Sequence, residues 1–201
     1  RGIIKSYKIN SSFNTPLFNS SKIIDDNFIV IYPEIVVGNP LKAKNVVRWL
    51  LHNPGFHIPI ICYGRNELYF KFNSAIKDFN FPGSKTSSIF LKVIHYPLEY
   101  YNIESASERN GTAYSIRKGI NKRMQHSLKD SVCIDGKTNV DGISHKEVSE
   151  IFKKSKTFIS YDVYSAYSIF ASLCGCTSIV IPDQGLSKEE WYPDQKDRLG
   201  I

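Results

Sequence analysis

The sequence predicts an α/β protein built on parallel sheets, and two observations lead to this prediction. Between Phe158 and Trp191, an apolar strand, an amphipathic helix and a second strand follow one another in the order of a βαβ unit. In the first half of the chain, short apolar runs alternate with helical patterns. The chain has 201 residues, of which 42% are hydrophobic, and this is enough for one medium domain or two small ones with real cores.

The βαβ unit is the clearest pattern in the chain. Phe158–Ser160 is a short apolar run suited to a buried parallel strand, and Ser178–Ile181 is expected to be the second strand. Gly175 supplies a stop signal for the helix between them. The core face of that helix has the spacing i, i+3, i+4 and i+7 and consists of Ala166, Ile169, Phe170 and Leu173.

Other patterns predict the remaining elements. Further strands are expected at Phe28–Tyr32, Ile58–Cys62, Leu68–Phe72, Phe90–Ile94, Thr112–Ile116 and Val132–Ile134. A helix is expected to begin at Asn39–Pro40, an asparagine cap followed by proline, and to end at Pro54–Gly55. Its core face would be Val46, Val47, Leu50 and Leu51. Capping boxes at Ser144–Glu147 and Ser187–Glu190 predict two more helix starts.

The predicted elements fall into two domains. A polar stretch from Asn102 to Gly111 marks a boundary, so we expect a first domain at 1–105 and a second at 106–201. The residues up to Asn27 are rich in Ser and Asn and are expected to be mostly loop. Because the chain starts at Arg1 without a methionine and stops soon after a loop with strong local signals, we expect a truncated chain. The first domain would then be incomplete at its start and the second at its end.

Composition and missing motifs exclude several classes of function. No apolar run approaches the roughly 18 residues of a membrane helix. The four cysteines lack metal-ligand spacing, which favours a reducing, cytoplasmic setting. The sequence contains no GxGxxG after a strand, no P-loop, no GxSxG and no HExxH. The net charge of +7 leaves nucleic acid, an anionic membrane and phosphorylated substrates open as partners.

The candidate binding residues follow predicted strands, because ligands of parallel sheets bind at the carboxyl ends of the strands. Arg117 and Lys118 follow one strand and precede Gly119, which would let a backbone come close; two cations there suit a diphosphate. A surface loop with two solvated charges is the structural alternative. The other candidates at strand ends are Tyr161, Asp162, Tyr164, Ser165, Asp183, Gly185 and Glu189.

Each of these other candidates also has a structural interpretation. Asp162 could accept hydrogen bonds from sugar hydroxyls, or it could simply cap the following helix. The backbone at Tyr164–Ser165 would lie at the positive end of that helix and could hold a phosphate. Gly185 is needed wherever its turn has a positive φ. Glu189 could reach ligand hydroxyls or be part of a capped, solvated helix start.

Two residues of the first half are candidates for a general base. Glu34 follows the strand Phe28–Tyr32, and its structural alternative is an exposed loop carboxylate. His95 is the only one of the five histidines at a predicted strand end. A structural histidine is the alternative for that position.

Two stretches resemble a known family. The run YDVYSAYSIFASLCGCTSIVIPD resembles the donor-binding domain of bacterial nucleotide-sugar glycosyltransferases with the GT-B fold. The run IVIYPEIVVGNPLKAKNVVRWLLHNPG resembles the acceptor-side domain of members that act in lipopolysaccharide core or surface-polysaccharide assembly. Arg117 and Lys118 match the basic residues that neutralise the donor diphosphate. Asp162 falls on the first of two glutamates found in many retaining members, and Phe170 stands at the second.

This resemblance implies two Rossmann-like domains facing a cleft, with the nucleotide sugar bound mainly by the C-terminal one. It implies transfer of a sugar from a nucleotide diphosphate to a hydroxyl of a saccharide or lipid-linked acceptor, without a metal or other cofactor. The protein would be cytoplasmic, with peripheral contact to an anionic inner membrane, and no nucleic acid is expected. Two alternatives stay open: a sugar-nucleotide epimerase of the same fold, and a non-catalytic module that binds nucleotides or nucleic acid.

Overall fold

A computed structural model describes residues 14–17, 24–104, 108–135 and 144–201. These residues form an α/β structure with two four-stranded parallel sheets. The first compact unit comprises the described residues up to Phe72 together with Asp78–Phe90, and the second comprises Asn73–Lys77 and the described residues from Leu91 onward. The boundary predicted at 105–106 lies outside the described residues, as does most of the predicted N-terminal loop.

The first sheet has the strand order β1-β2-β3-β4, so each strand pairs with the next one along the chain. Its strands are β1 (Ile29–Pro33), β2 (Asn45–Leu50), β3 (Leu68–Lys71) and β4 (Lys85–Thr86). All three pairings are parallel, and the register aligns Ile31 with Val47 and Val47 with Leu68. The predictions of β1 and β3 are confirmed to within one residue.

Strand β2 lies where the sequence predicts a helix, so that prediction is wrong. Burial in β2 alternates, with Val46, Arg48 and Leu50 inside, and this is the two-residue period of a strand. Asn39 does not cap a helix, because its side chain accepts a hydrogen bond from the N–H of Ala43 and donates one to the carbonyl of the same residue. The strand is stabilised by parallel neighbours on both sides, which outweigh the local helical signal.

Two other predicted strands are absent from the structure. Ile58–Cys62 and Phe90–Ile94 have no regular secondary structure, and most of their residues are exposed. The two-residue strand β4 is present without having been predicted. A short apolar run therefore does not by itself distinguish a buried strand from an exposed loop.

The second sheet has the order β6-β5-β7-β8, and all its pairings are parallel. Its strands are β5 (Thr112–Ser115), β6 (Ser131–Cys133), β7 (Thr157–Ser160) and β8 (Thr177–Val180). The unit also contains the helices α1 (His145–Lys154), α2 (Tyr167–Leu173) and α3 (Lys188–Trp191). Short 3₁₀ turns lie at Arg117–Gly119 and Gln195–Asp197. Every strand and helix predicted between Thr112 and Glu190 is confirmed, with small shifts at the ends.

The core of the second unit is aromatic. Phe152 of α1, Phe158 of β7 and Phe170 of α2 pack together with Tyr101, which is fully buried. The ring of Tyr101 stacks on that of Phe170 with centroids 4.3 Å apart. The face of α2 is rotated from the prediction, because Phe170, Ala171 and Cys174 are buried whereas Ala166 is exposed.

The predicted helix signals of this unit act as expected. Ser144 and Glu147 form a complete capping box at the start of α1, and Ser187 and Glu190 do the same for α3. Gly175 has a φ of 84° after the end of α2. In the part of the chain described by the structure, no helix is long and apolar enough to cross a membrane.

Candidate functional site

The candidate site lies at the carboxyl edge of the second sheet. In a parallel sheet the carboxyl ends of all strands meet at one edge. At this edge β5, β7 and β8 lie side by side in that order. Eight of the predicted binding residues lie in the loops that directly follow these three strands. The loops contact each other through specific pairs of side chains, described below.

Arg117 occupies a strained turn directly after β5. Its φ is 38°, in the left-handed region that non-glycine residues adopt at a cost of about 1–3 kcal/mol. The guanidinium group lies over the ring of Tyr167, with Cζ 4.6 Å from the ring centroid, and the side chain remains 47% exposed. Its closest charged partner is Asp135, with Nε 3.7 Å from Oδ1, and its terminal N–H groups have no hydrogen-bond partner among the described residues.

Lys118 is held in a similar way by the next loop. Its Nζ lies 5.6 Å from the ring centroid of Tyr164, and the side chain is exposed. Burial raises the pKa of Tyr164, and the nearby carboxylates of Asp183 and Asp162 raise it further. Two cations of the β5 loop are thus each placed against a tyrosine near β7, a contact worth about 0.5–1 kcal/mol at exposed positions.

Asp135 is a site residue that sequence reasoning missed. It lies shortly after β6, and its carboxylate accepts hydrogen bonds from the hydroxyl of Ser115 at 2.5 Å and from the N–H groups of Ile116 at 2.6 Å and Arg117 at 3.0 Å. The rule that selected the other candidates would have found it, because Asp135 directly follows the predicted strand Val132–Ile134.

Tyr161 does not present its side chain to solvent, although it was predicted to bind a ligand. It is fully buried, and its hydroxyl accepts a hydrogen bond from the N–H of Gln125 at 2.7 Å. The same hydroxyl lies 2.8 Å from Nδ1 of His126, so we assign it as the donor to that nitrogen. Tyr161 therefore anchors the loop between β5 and β6 instead of forming a ligand-facing surface.

Asp162 and Ser165 shape the turn between β7 and α2. Asp162 is 5% exposed, and its Oδ1 accepts a hydrogen bond from the N–H of Tyr164 at 2.9 Å. The predicted cap is wrong, because α2 begins at Tyr167 and Ala166 occupies the N-cap position without a side-chain bond. Ser165 accepts a hydrogen bond from the N–H of Tyr167 at 3.2 Å. The backbone at Tyr164–Ser165 thus belongs to a turn that precedes the helix.

Lys122 joins the β5 loop to the loop after β8. Its Nζ donates to the carbonyl of Ile181 at 2.7 Å and lies 2.9 Å from Oδ1 of Asp183. The side chain of Asp183 is 54% exposed, which leaves acceptor capacity for a ligand hydroxyl. Gly185 has a φ of 76°, as expected for a glycine that its turn requires.

Glu189 is paired with another residue of its own segment. Its Oε1 lies 3.4 Å from Nη1 of Arg198, and its side chain is 59% exposed. No described contact joins Glu189 to Arg117, Lys118 or Asp183.

The two candidates for a general base lie in different units. Glu34 is buried in the first unit, where its Oε2 accepts a hydrogen bond from the N–H of Leu51 at 2.9 Å. It is therefore not the exposed loop carboxylate of the structural alternative. His95 belongs to the second unit and is exposed, but it does not follow a strand.

The edge of the second sheet combines cations with hydrogen-bond acceptors and offers few metal ligands. Within the described ranges, no group of three or more His, Cys, Asp or Glu side chains could hold a metal ion. Arg117 and Lys118 can neutralise a dianionic group, and the carboxylate of Asp183 can accept hydrogen bonds from hydroxyls. This combination suits a ligand that carries both phosphate and sugar.

Comparisons with known proteins give no match: no protein family, no curated protein and no solved structure is significantly similar to this chain. The chemistry of the site is thus the basis for any functional assignment.

Proposed function

We propose that this protein is a glycosyltransferase that binds a nucleotide-diphosphate sugar at the carboxyl edge of the second sheet. One observation carries the proposal: Arg117 and Lys118 are held against tyrosine rings while remaining exposed, and the guanidinium of Arg117 keeps its terminal N–H groups available. A pre-oriented guanidinium matches the geometry of phosphate oxygens, and an adjacent lysine adds a second charge.

The chemistry of transfer assigns a role to these cations. An acceptor hydroxyl attacks the anomeric carbon, the bond from that carbon to the diphosphate oxygen breaks, and the diphosphate leaves with the electron pair. Arg117 and Lys118 stabilise the negative charge that develops on the leaving group. A base takes the proton of the acceptor, and we propose His95 for this role, because it is exposed and belongs to the same unit as the two cations.

The sugar or ribose hydroxyls need acceptors beside the diphosphate. Asp183 is the carboxylate best suited, because it is half exposed and lies in the loop after β8. Asp162 is nearly buried and already accepts a backbone N–H, so we assign it to shaping the turn that carries Tyr164.

The proposal includes a fold assignment, an acceptor class and a location. Two parallel sheets in two units are compatible with the two Rossmann-like domains of the GT-B class. We propose a saccharide or a lipid-linked saccharide as acceptor, used at the cytoplasmic face of a membrane. The net charge of +7 supports this choice, because basic residues are attracted to anionic lipid surfaces.

The first test measures binding of nucleotides to the protein. UDP, GDP, ADP, CMP and their sugar conjugates are screened by thermal shift with and without EDTA, followed by titration calorimetry for those that stabilise. We expect one nucleoside diphosphate to stabilise the protein in EDTA, and Arg117→Ala to weaken its binding about tenfold or more. Arg123→Ala is the matched control, because Arg123 is an exposed arginine of the same loop.

The outcomes separate the alternatives. If no nucleotide stabilises the protein, or if Arg117→Ala binds as tightly as the wild type, the proposed site is wrong. NMR of a bound sugar conjugate then distinguishes two enzymes. Slow release of the nucleoside diphosphate, with water replacing the acceptor, supports a transferase, whereas a changed sugar that stays attached to the nucleotide indicates an epimerase.

A further inference from the structure

The carboxylate of Asp135 fills the position at the end of β5 where backbone N–H groups converge. It accepts hydrogen bonds from two consecutive N–H groups, those of Ile116 and Arg117, and from the hydroxyl of Ser115. Ser115 is itself fully buried. An anionic side chain on three donors forms a strong local network, because hydrogen bonds to charged groups are shorter and stronger than neutral ones.

This network surrounds the strained residue of the site. Arg117 has a φ of 38°, and its N–H donates a hydrogen bond to Asp135. Backbone strain of this kind persists only when neighbouring contacts over-determine it. With this backbone conformation, the guanidinium of Arg117 lies over the ring of Tyr167.

We propose that Asp135 is a positioning residue, which acts on the ligand through Arg117 by fixing the turn that aims the guanidinium. The inference rests on the proposed function, since it assumes that Arg117 binds the diphosphate. It extends that function by assigning a role to a residue in the loop after β6, so that three strand ends, β5, β6 and β7, together build one cation site.

Asp135 also has an opposing effect, because its negative charge lies close to the cation that should attract the ligand. The direct ion pair is long, with Nε 3.7 Å from Oδ1, and the arginine is 47% exposed, so solvent screens it strongly. The hydrogen bonds to the backbone are shorter, at 2.6 Å from Ile116 and 3.0 Å from Arg117, and the one from Ile116 is partly buried. Fixing the turn therefore outweighs the loss of positive potential, and removing the carboxylate weakens binding.

The test compares affinities for a nucleoside diphosphate and its monophosphate by titration calorimetry. The probe is whichever of UDP, GDP or ADP binds the wild type. We expect Asp135→Asn to weaken binding of the diphosphate about tenfold and to change binding of the monophosphate much less. Asp130→Asn is the matched control, because it removes one negative charge at an exposed position directly before β6.

A double-mutant cycle tests whether Asp135 acts through Arg117. In the Arg117→Ala background, Asp135→Asn should cause no further loss, whereas independent effects would add. A purely structural role would lower affinity for both nucleotides equally and would persist in that background. Ser115→Ala serves as a second variant if Asp135→Asn does not fold, since it removes one bond to the carboxylate, and a smaller loss in the same direction is expected.

Failure of this inference is distinguishable from failure of the proposed function. If the wild type binds no nucleotide, both are wrong. If the wild type binds, Arg117→Ala weakens binding and Asp135→Asn does not, the proposed function stands and the role of Asp135 is refuted.

Discussion

Gly119 is packed against the backbone of Tyr161 so closely that no larger residue fits. A Cβ built on Gly119 would lie 2.1 Å from the carbonyl oxygen of Tyr161 and 2.4 Å from its carbonyl carbon. The sequence predicts that this glycine permits a close approach of backbone, and the structure assigns that approach to the protein's own chain after β7. Gly119 thus joins the turn of Arg117 to the neighbouring strand end.

We expect Gly119→Ala to destabilise the second unit by about 3 kcal/mol or more, because backbone atoms on both sides have to move. The two tryptophans make this measurable, since Trp49 lies in the first unit and Trp191 in the second. Urea unfolding is followed by fluorescence in a Trp49→Phe background. Gly185→Ala is the control, because Gly185 has nothing within 4 Å of its Cβ position and carries only the cost of a positive φ, about 1–2 kcal/mol. Equal effects of the two substitutions would contradict the contact.

We expect His126 to make the stability of the second unit depend on pH. Burial lowers the pKa of its imidazole, and its Nε2 is buried without a hydrogen-bond partner among the residues that the structure describes. In the unfolded chain the pKa is about 6.5. As the pH falls below that value, the unfolded chain takes up the proton first, so stability is lost until the pH passes the lower folded value. Above about pH 6.5 the full contribution is present.

The prediction for His126 concerns how steeply the melting temperature falls as the pH is lowered. We expect the wild type to lose stability as the pH falls below about 6.5, and His126→Asn to lose less over the same range. Melting temperatures measured at half-unit steps for both proteins give the difference. Parallel curves for wild type and variant would show that protonation of His126 does not affect folding.

At the scale of elements, strand β2 shows why a pattern can fit two structures. The positions Val46, Val47, Leu50 and Leu51 satisfy the spacing of a helix, but the strand buries Val46, Arg48 and Leu50. The two-residue alternation of apolar residues that marks a strand is broken at Arg48, because an arginine counts as polar in any sequence pattern. Arg48 can be buried only because Glu67, directly before β3, supplies the opposite charge. Glu67 is distant in the sequence, so a local sequence pattern cannot reveal it as the partner.

The pair of Arg48 and Glu67 is buried on both sides and doubly hydrogen-bonded. Nε of Arg48 donates to Oε2 of Glu67 at 3.0 Å and Nη2 donates to Oε1 at 2.9 Å, while the remaining donors bind the carbonyls of Val36 and Gly38. Arg48 therefore connects β2 with the loop after β1. It also lies over the ring of Tyr63, with Cζ 4.4 Å from the centroid.

We expect Arg48→Met to destabilise the first unit by about 3–5 kcal/mol, because it leaves the Glu67 carboxylate buried without its partner. The fluorescence of Trp49 in a Trp191→Phe background reports this unfolding. The double variant Arg48→Met, Glu67→Gln should recover part of the loss, since no unpaired charge remains. A single variant within about 0.5 kcal/mol of the wild type would contradict the importance of the pair.

At the scale of the whole molecule, the second unit could be predicted from sequence far better than the first. Its strands and helices carry capping boxes, a stop glycine and apolar runs that all agree with the final structure. In the first unit, a buried arginine and exposed apolar runs such as Ile58–Cys62 break the relation between pattern and burial. The carboxyl ends of strands predict Arg117, Lys118 and Asp183 as candidates, and Asp135 satisfies the same criterion because it directly follows the predicted strand Val132–Ile134.

Contacts across loops were beyond sequence reasoning even in the second unit. The tyrosines at 164 and 167 lie against Lys118 and Arg117, and Lys122 reaches Asp183, although these residues are far apart in the chain. A sequence indicates which residues follow strands, and parallel pairing brings those ends together. The conformation of each turn, including the positive φ of Arg117, depends on the neighbours that the fold supplies.

The strand orders of the two sheets have a consequence for the order of folding during synthesis. In the first sheet every strand pairs with its successor, so each new strand can add as soon as it leaves the ribosome. In the second, β5 pairs with β7, Thr112 beside Thr157, and closing that loop costs more chain entropy. Its two central strands can therefore pair only after the chain has been synthesised as far as Ser160. The cation site forms only after β7 has paired with β5. A substitution that slows this pairing would leave the first sheet formed and the binding edge unbuilt.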